Sequence, residues 1–137
     1  MTHPRWERLL LSPVAAYFGR KGFRWQQPEM RFYDRRIDLY AFSRTDDIAV
    51  AVELKLHRWR YAMKQALLYQ LCSDFVYIAL PSVWIKSVRV DLLSEYGIGL
   101  VSVDAKMHCR QVVPAKASSV VRPRYRREYI RLVQGGR

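Results

Sequence analysis

The pattern of hydrophobic and polar positions divides the chain into short elements separated by turn signals. Residues 5–11 (RWERLLL) mix charged and apolar positions in a helical way. Ser12-Pro13 then reads as a cap followed by proline at the first helical position, so a second helix is expected from there to about Arg20, ended by Gly22. Residues 36–43 (RIDLYAFS) and 48–56 (IAVAVELKL) read as strands, the second strongly β-branched. The polar stretch Arg44-Thr45-Asp46-Asp47 between them is turn-sized, which predicts an antiparallel hairpin. Residues 58–73 place apolar side chains at 61, 62, 66, 68, 69 and 72, the spacing of a helix. Residues 75–80 (FVYIAL) form a continuous apolar run, predicted as a buried strand stopped by Pro81. A helix is expected over 82–96 and closed by Gly97, then strands at 99–103 and 109–113. Beyond Pro114 the chain turns basic, with a short helix expected over 124–133.

The order is therefore α, β, β, α, β, α, β, β. It predicts an α/β fold with a mixed central β-sheet flanked by helices, a hairpin first and crossover helices after it. The chain carries no internal repeat and no low-complexity segment. The expected division is a folded domain over residues 1–113 and a basic C-terminal tail over 114–137.

Composition narrows the class. The chain has 137 residues, one domain's worth, and half of them are hydrophobic, which excludes a disordered polyelectrolyte. The longest uncharged stretches, 9–19 and 75–85, fall short of the roughly 20 residues a membrane span needs, so no membrane association is expected. The N-terminal residues show no signal-peptide pattern. Cys72 and Cys109 form neither a disulfide framework nor a CxxC pair, and His3 and His108 give no zinc spacing, so reduced thiols and a cytoplasmic location are expected.

The formal net charge is +12, and it is unevenly spread. Residues 105–137 hold nine basic residues and one acidic, net +8, and residues 1–27 hold five and one, net +4. Six of the 12 acidic residues gather in residues 28–60. Clustered positive charge favours a polyanion partner, because each cation near a phosphate releases counterions.

The middle block is where chemistry concentrates. In 48–56 the even positions are all large and apolar, whereas the odd ones are Ala49, Ala51, Glu53 and Lys55. Alternation puts the odd set on one face, which the small alanines are expected to leave open. Asp38 lies in the partner strand and reaches Glu53 if the register allows. Two carboxylates beside a lysine form a candidate site for Mg²⁺ or Mn²⁺, which take hard oxygen ligands and substrate phosphate oxygens. Alone, a Glu-x-Lys pair in a strand is also what a solvated sheet face displays. The following helix adds Gln65 and Tyr69, four apart and so on one face.

Asp38, Glu53-Leu54-Lys55 and Gln65-Ala66-Leu67-Leu68-Tyr69 together resemble the motifs of the PD-(D/E)xK nuclease superfamily, and the glutamine motif is similar to that of its RecB-like branch. The resemblance covers about residues 5–80 and extends to restriction-endonuclease-like and Holliday-junction-resolvase-like members. It implies an αβββαβ core, one strand of which the sequence does not place. It implies Mg²⁺ or Mn²⁺ held by Asp38 and Glu53, with the Leu54 carbonyl as a further ligand. Lys55 would act on the attacking water or the transition-state charge, and Gln65 and Tyr69 would line the site. The implied reaction is metal-dependent hydrolysis of DNA phosphodiesters. The chain departs from the family pattern at Ile37, where the family has proline. The first-helix acid of the family has Glu7 as its candidate here and Glu29 as a rival.

The expected nucleic-acid contacts are Arg35, Arg36, Arg58, Arg60 and Lys64 around the site, and Arg122, Arg124, Arg126 and Arg127 in the tail. A homodimer is expected, since cutting two strands needs two sites. Trp59, Tyr61 and Trp84 read as core or half-buried aromatics, with base stacking by Trp59 as the alternative, and His57 reads as a strand-end histidine. Two rival functions stay open: a nuclease-fold DNA-binding module that no longer cuts, and an RNA-binding basic protein without a metal site.

Overall fold

The structure is a computed structural model that describes residues 5–135. Residues 1–4 and 136–137, the extremities of the expected domain and tail, lie outside the described residues. The elements are α1 (Arg5–Arg8), α2 (Leu11–Arg20), β1 (Trp25–Phe32), β2 (Arg35–Ser43), β3 (Ile48–Leu54), α3 (Trp59–Tyr69), β4 (Phe75–Pro81), a 3₁₀ helix (Ser82–Ser87), α4 (Val90–Glu95), β5 (Gly99–Val103), β6 (Cys109–Val113) and α5 (Pro123–Val133).

All six strands form one sheet, in the order β1 to β6. β1, β2 and β3 pair antiparallel, β3, β4 and β5 pair parallel, and β6 returns antiparallel to β5. The fold is thus mixed α/β, with the hairpin at 44–47 where the sequence puts it. The two parallel steps are crossed by α3 and by the 3₁₀ helix with α4, as parallel pairing requires.

Both faces of the sheet are covered. On one face Leu39, Val50, Val52 and Ala79 join Val14 and Phe18 of α2 in an apolar cluster. On the other, Tyr40, Phe42, Ala49, Ala51 and Ile78 join Ala62, Ala66 and Tyr69 of α3 and Val133 of α5. Ala49 and Ala51 are fully buried, so the face expected to be open is a packed one. Their small side chains leave room for the helix layer to approach, and Ala62 and Ala66 do the same from α3.

Three details go beyond or against the expectation. One strand, β1, lies where the sequence pattern gives no element. It is an edge strand, mostly exposed, with Pro28 within it and Glu29 at φ 53°, so it lacks the alternation that marks a half-buried strand. The second helix begins at Leu11 with Leu10 before it, so Ser12 is no cap and Pro13 is the third helical residue. Proline is tolerated there because the first N–H groups of a helix have no intrahelical acceptor. The helix expected over 82–96 is broken: Val88 is extended (φ −89°, ψ 133°) between the 3₁₀ helix and α4. Val83, Ile85, Val88 and Val90 are poor helix formers, and Ser87 Oγ donates to Trp84 O at 2.7 Å, competing with the helical ladder.

The basic segment after Pro114 carries the helix expected in it, α5, and packs on the fold. Ser118 N–H and Arg122 N–H bond Asp74 O and Leu71 O at 2.7 and 2.8 Å. Beyond them, α5 lays Tyr125, Tyr129 and Ile130 on the core. Phe32 contacts both tyrosine rings edge-on, with centroids 5.8 and 5.4 Å away. This part of the chain is held by backbone hydrogen bonds and by ring packing.

Candidate functional site

The pairing Leu39↔Val52, continued by one residue, sets Asp38 opposite Glu53 where the β2–β3 ladder ends. Pro28↔Leu39 and Met30↔Ile37 set Glu29 beside Asp38 in the same way. The register left open by the sequence is thus the one that brings the two carboxylates together.

Each acidic group has a defined setting. Asp38 is 4% exposed, and its Oδ2 accepts the Leu54 N–H at 2.8 Å. Glu53 is fully buried, and its Oε1 accepts from the Tyr69 hydroxyl at 3.1 Å. That hydroxyl also lies 2.9 Å from Arg36 O and 3.2 Å from Gln65 Oε1, so one phenolic proton faces three oxygens. Burial, then the negative charges of Glu53 and Asp38, push the Tyr69 phenol far above its ordinary range. It is therefore a hydrogen-bond donor at any working pH, neither a base nor a nucleophile. Gln65 and Tyr69 meet on one face of α3, as their four-residue spacing predicts.

Lys55 and Glu7 complete the group. Glu7, from α1, is 5% exposed, and its Oε2 lies 3.9 Å from Lys55 Nζ. Lys55 Nζ also sits 5.0 Å from the centre of the Tyr61 ring. Glu29 is turned elsewhere: its carboxylate faces Arg36 at 3.3 Å and Arg8 at 3.7 Å, and 40% of its side chain is exposed. Of the two first-helix candidates, the structure places Glu7 against the lysine and Glu29 at the rim.

The donor set of Asp38, Glu53 and the Leu54 carbonyl is all oxygen, which suits Mg²⁺ or Mn²⁺ and not a soft metal. Among the described residues, no three His, Cys, Asp or Glu side chains form a ready-made metal cluster.

The expected basic contacts separate into two kinds. Arg58, Arg60, Lys64, Arg122, Arg124 and Arg127 are exposed, and Arg35 is half-exposed. Arg36 is taken up with Glu29, and Arg35 lies 3.5 Å from Asp34. Arg126 differs from all of these. Its Nε lies 3.0 Å from both Asp74 carboxylate oxygens, and its Nη2 donates to Asp47 O and Oδ1 at 2.9 and 3.1 Å. Asp74 in turn accepts the Ala49 N–H at 2.8 Å. Arg126, expected as a nucleic-acid contact, therefore ties α5 to the β2–β3 turn and to the start of β4. A basic run in sequence does not distinguish such a tie from a solvated arginine.

Of the aromatic residues, Trp59 is core as expected, whereas Tyr61 and Trp84 depart from the expectation. Trp59 is buried at 6% exposure, which removes it as a stacking surface, while Tyr61 and Trp84 stand well exposed. His57 and Trp84 have ring centres 5.6 Å apart.

Comparison with known proteins adds fold and no function. No family model matches the chain, and no curated protein matches it. A solved structure, the SPO1766 protein of unknown function from Silicibacter pomeroyi, is similar over 92% of this chain and 82% of its own. It has a TM-score of 0.70 and 20% sequence identity. Among the described residues no helix is long and apolar enough to cross a membrane.

Proposed function

We propose that the protein is a metal-dependent nuclease of the PD-(D/E)xK type that hydrolyses phosphodiester bonds in DNA. One observation carries this reading: Glu7, Asp38, Glu53 and Lys55 come from three separate elements to one end of the sheet, and the three carboxylates there are all buried. Burying a charge costs several kcal/mol, and apolar residues there would favour stability more. Converging charges in such a place mark a working site more often than a structural one. The order of α2, β1, β2, β3, α3 and β4 supports the same reading.

In this proposal Asp38, Glu53 and the Leu54 carbonyl hold Mg²⁺ or Mn²⁺, with Glu7 as the first-helix acid. When bound, the ion polarises the scissile phosphoryl group. Lys55 supplies positive charge where negative charge builds on the phosphate, at a position set by Glu7 and the Tyr61 ring. Tyr69 orients Glu53, and Gln65 shares that hydroxyl and faces the substrate backbone. Arg58, Arg60 and Lys64 draw the phosphates in, and Arg124 and Arg127 extend the basic surface on α5. A homodimer would present the second site that two-strand cutting needs.

The test is incubation of purified protein with labelled duplex, single-stranded, flap and four-way-junction DNA in Mg²⁺, Mn²⁺ or EDTA. Cleavage in Mg²⁺ or Mn²⁺ alone, lost in Glu53→Gln and Lys55→Ala while DNA binding persists, is the expected result. A second reading, a DNA-binding module of the same fold that does not cut, is favoured by the lack of a ready-made three-acid cluster among the described residues. It predicts binding without cleavage on every substrate.

A further inference from the structure

β3 and β4 run parallel, so the segments that follow them leave the sheet side by side; Lys55 N–H still bonds Ala79 O at 3.1 Å. In open α/β sheets, ligands are met beyond the carboxyl ends of parallel strands. Here one segment carries Lys55 and His57, and the other carries Trp84 on the 3₁₀ helix. The His57 and Trp84 rings lie 5.6 Å apart at 58°, and Tyr61 of α3 sits 5.0 Å from Lys55 Nζ. The Tyr61 ring thus lies against the lysine of the site, and the His57–Trp84 pair joins the segment that follows that lysine to the 3₁₀ helix.

These rings face solvent: Tyr61 is 55% exposed, Trp84 is 44% exposed, and His57 is exposed too. The two segments that carry them hold charges of one sign. Arg58, Arg60, Lys64 and Lys86 are exposed, and neither 55–64 nor 82–87 contains an acidic residue. Rings interleaved with cations are how single-stranded nucleic acid is held, bases stacking on the rings while the cations follow the phosphates. An intact duplex hides its base faces and would use only the cations.

We infer that Tyr61, Trp84 and His57 form a stacking platform for unpaired nucleotides, which makes the substrate class DNA with a single-stranded stretch, such as a flap or tail. The inference rests on the nuclease reading for the fate of the strand, whereas the platform itself is measured by binding alone.

The experiment is fluorescence anisotropy of the full chain with a labelled oligothymidylate and, separately, a blunt duplex, both in EDTA so that nothing is cut. Trp84→Ala and Tyr61→Ala should each weaken oligothymidylate binding by roughly 5- to 150-fold. Trp84→Phe should retain most of the affinity, and duplex binding by Trp84→Ala should not change. Both positions are exposed, and circular dichroism would confirm that the variants are folded. Unchanged oligothymidylate binding in Trp84→Ala and Tyr61→Ala, or an equal loss for the duplex, would overturn the platform. Failure of the two readings is distinguishable. Metal-dependent cleavage with unaltered binding in Trp84→Ala keeps the nuclease and removes the platform. Ring-dependent binding with no cleavage in any metal does the reverse.

Discussion

Tyr69 shows how one side chain serves both packing and site. Its ring belongs to the core cluster, 6.4 Å from the Phe32 ring centre, while its hydroxyl reaches Glu53. The spacing from Gln65 was readable in the sequence; the third acceptor, Arg36 O, was not, because it depends on how α3 lies over β2. Lys55 and Glu7 are 48 positions apart, and only the motif resemblance made Glu7 a candidate beside Lys55, with Glu29 as its rival. Within the proposed function, Lys55→Ala should cut the cleavage rate by about 10²- to 10³-fold in single-turnover assays, the usual loss when one transition-state donor goes. Arginines in one basic run should likewise behave in opposite ways. Arg126→Ala removes hydrogen bonds to Asp74 and Asp47 and should lower stability by about 1–3 kcal/mol in urea titrations. Arg124→Ala with Arg127→Ala should leave stability within about 0.5 kcal/mol and instead weaken DNA binding with a shallower salt dependence. Similar stability losses in the two variants would contradict the division of roles.

At the scale of elements, legibility followed burial. β2, β3 and β4 announce themselves as β-branched or continuous apolar runs because both faces of the sheet centre are covered. β1 does not, since an exposed edge strand needs few apolar residues and admits Pro28. The same central burial misled the reading of Ala49 and Ala51: a small residue on a sheet face signals a close neighbour as readily as an opening. Gly97 was readable as a helix stop and has φ 76°, with Ile98 N–H returning to Leu93 O at 2.9 Å. The need for Gly99 was hidden. A Cβ there would lie 2.4 Å from the Tyr77 ring and 2.8 Å from the Ala115 backbone nitrogen. Gly99→Ala should therefore destabilise the fold by about 1–3 kcal/mol, as overpacking does, despite the better intrinsic propensity of alanine. An unchanged thermal midpoint would show that β5 and the strap after Pro114 separate more easily than described.

For the whole molecule, buried phenols and a buried thiol set the response to alkali. Burial raises Tyr40 and Tyr69 well beyond the ordinary value of 10, and it pushes Tyr129 and Cys72 up to about 12. The unfolded chain loses these protons from about pH 9 upward, whereas the folded chain keeps them. Above that pH the unfolded state binds fewer protons, so stability falls as pH rises, and below it the contribution is fully present. Thermal midpoints should be insensitive to these groups between pH 7 and about 8.5 and should drop steeply from about pH 9.5 to 12. The phenolate absorbance of the buried Tyr40 and Tyr69 should appear together with unfolding rather than ahead of it; ionisation of all nine tyrosines before unfolding would contradict the packing described.

The net charge of +12 acts at the same scale, raising the local concentration of any polyanion around the buried acids of the site. The central claim is that this group of residues cuts DNA. The most direct measurement compares the wild-type chain and Glu53→Gln, both verified as folded, on end-labelled single-stranded and flap DNA in Mg²⁺ and in EDTA. The account predicts cut products only from wild type in Mg²⁺, with equal DNA binding by both proteins. Cleavage by Glu53→Gln at the wild-type rate, or none from either protein while both bind DNA, would contradict it.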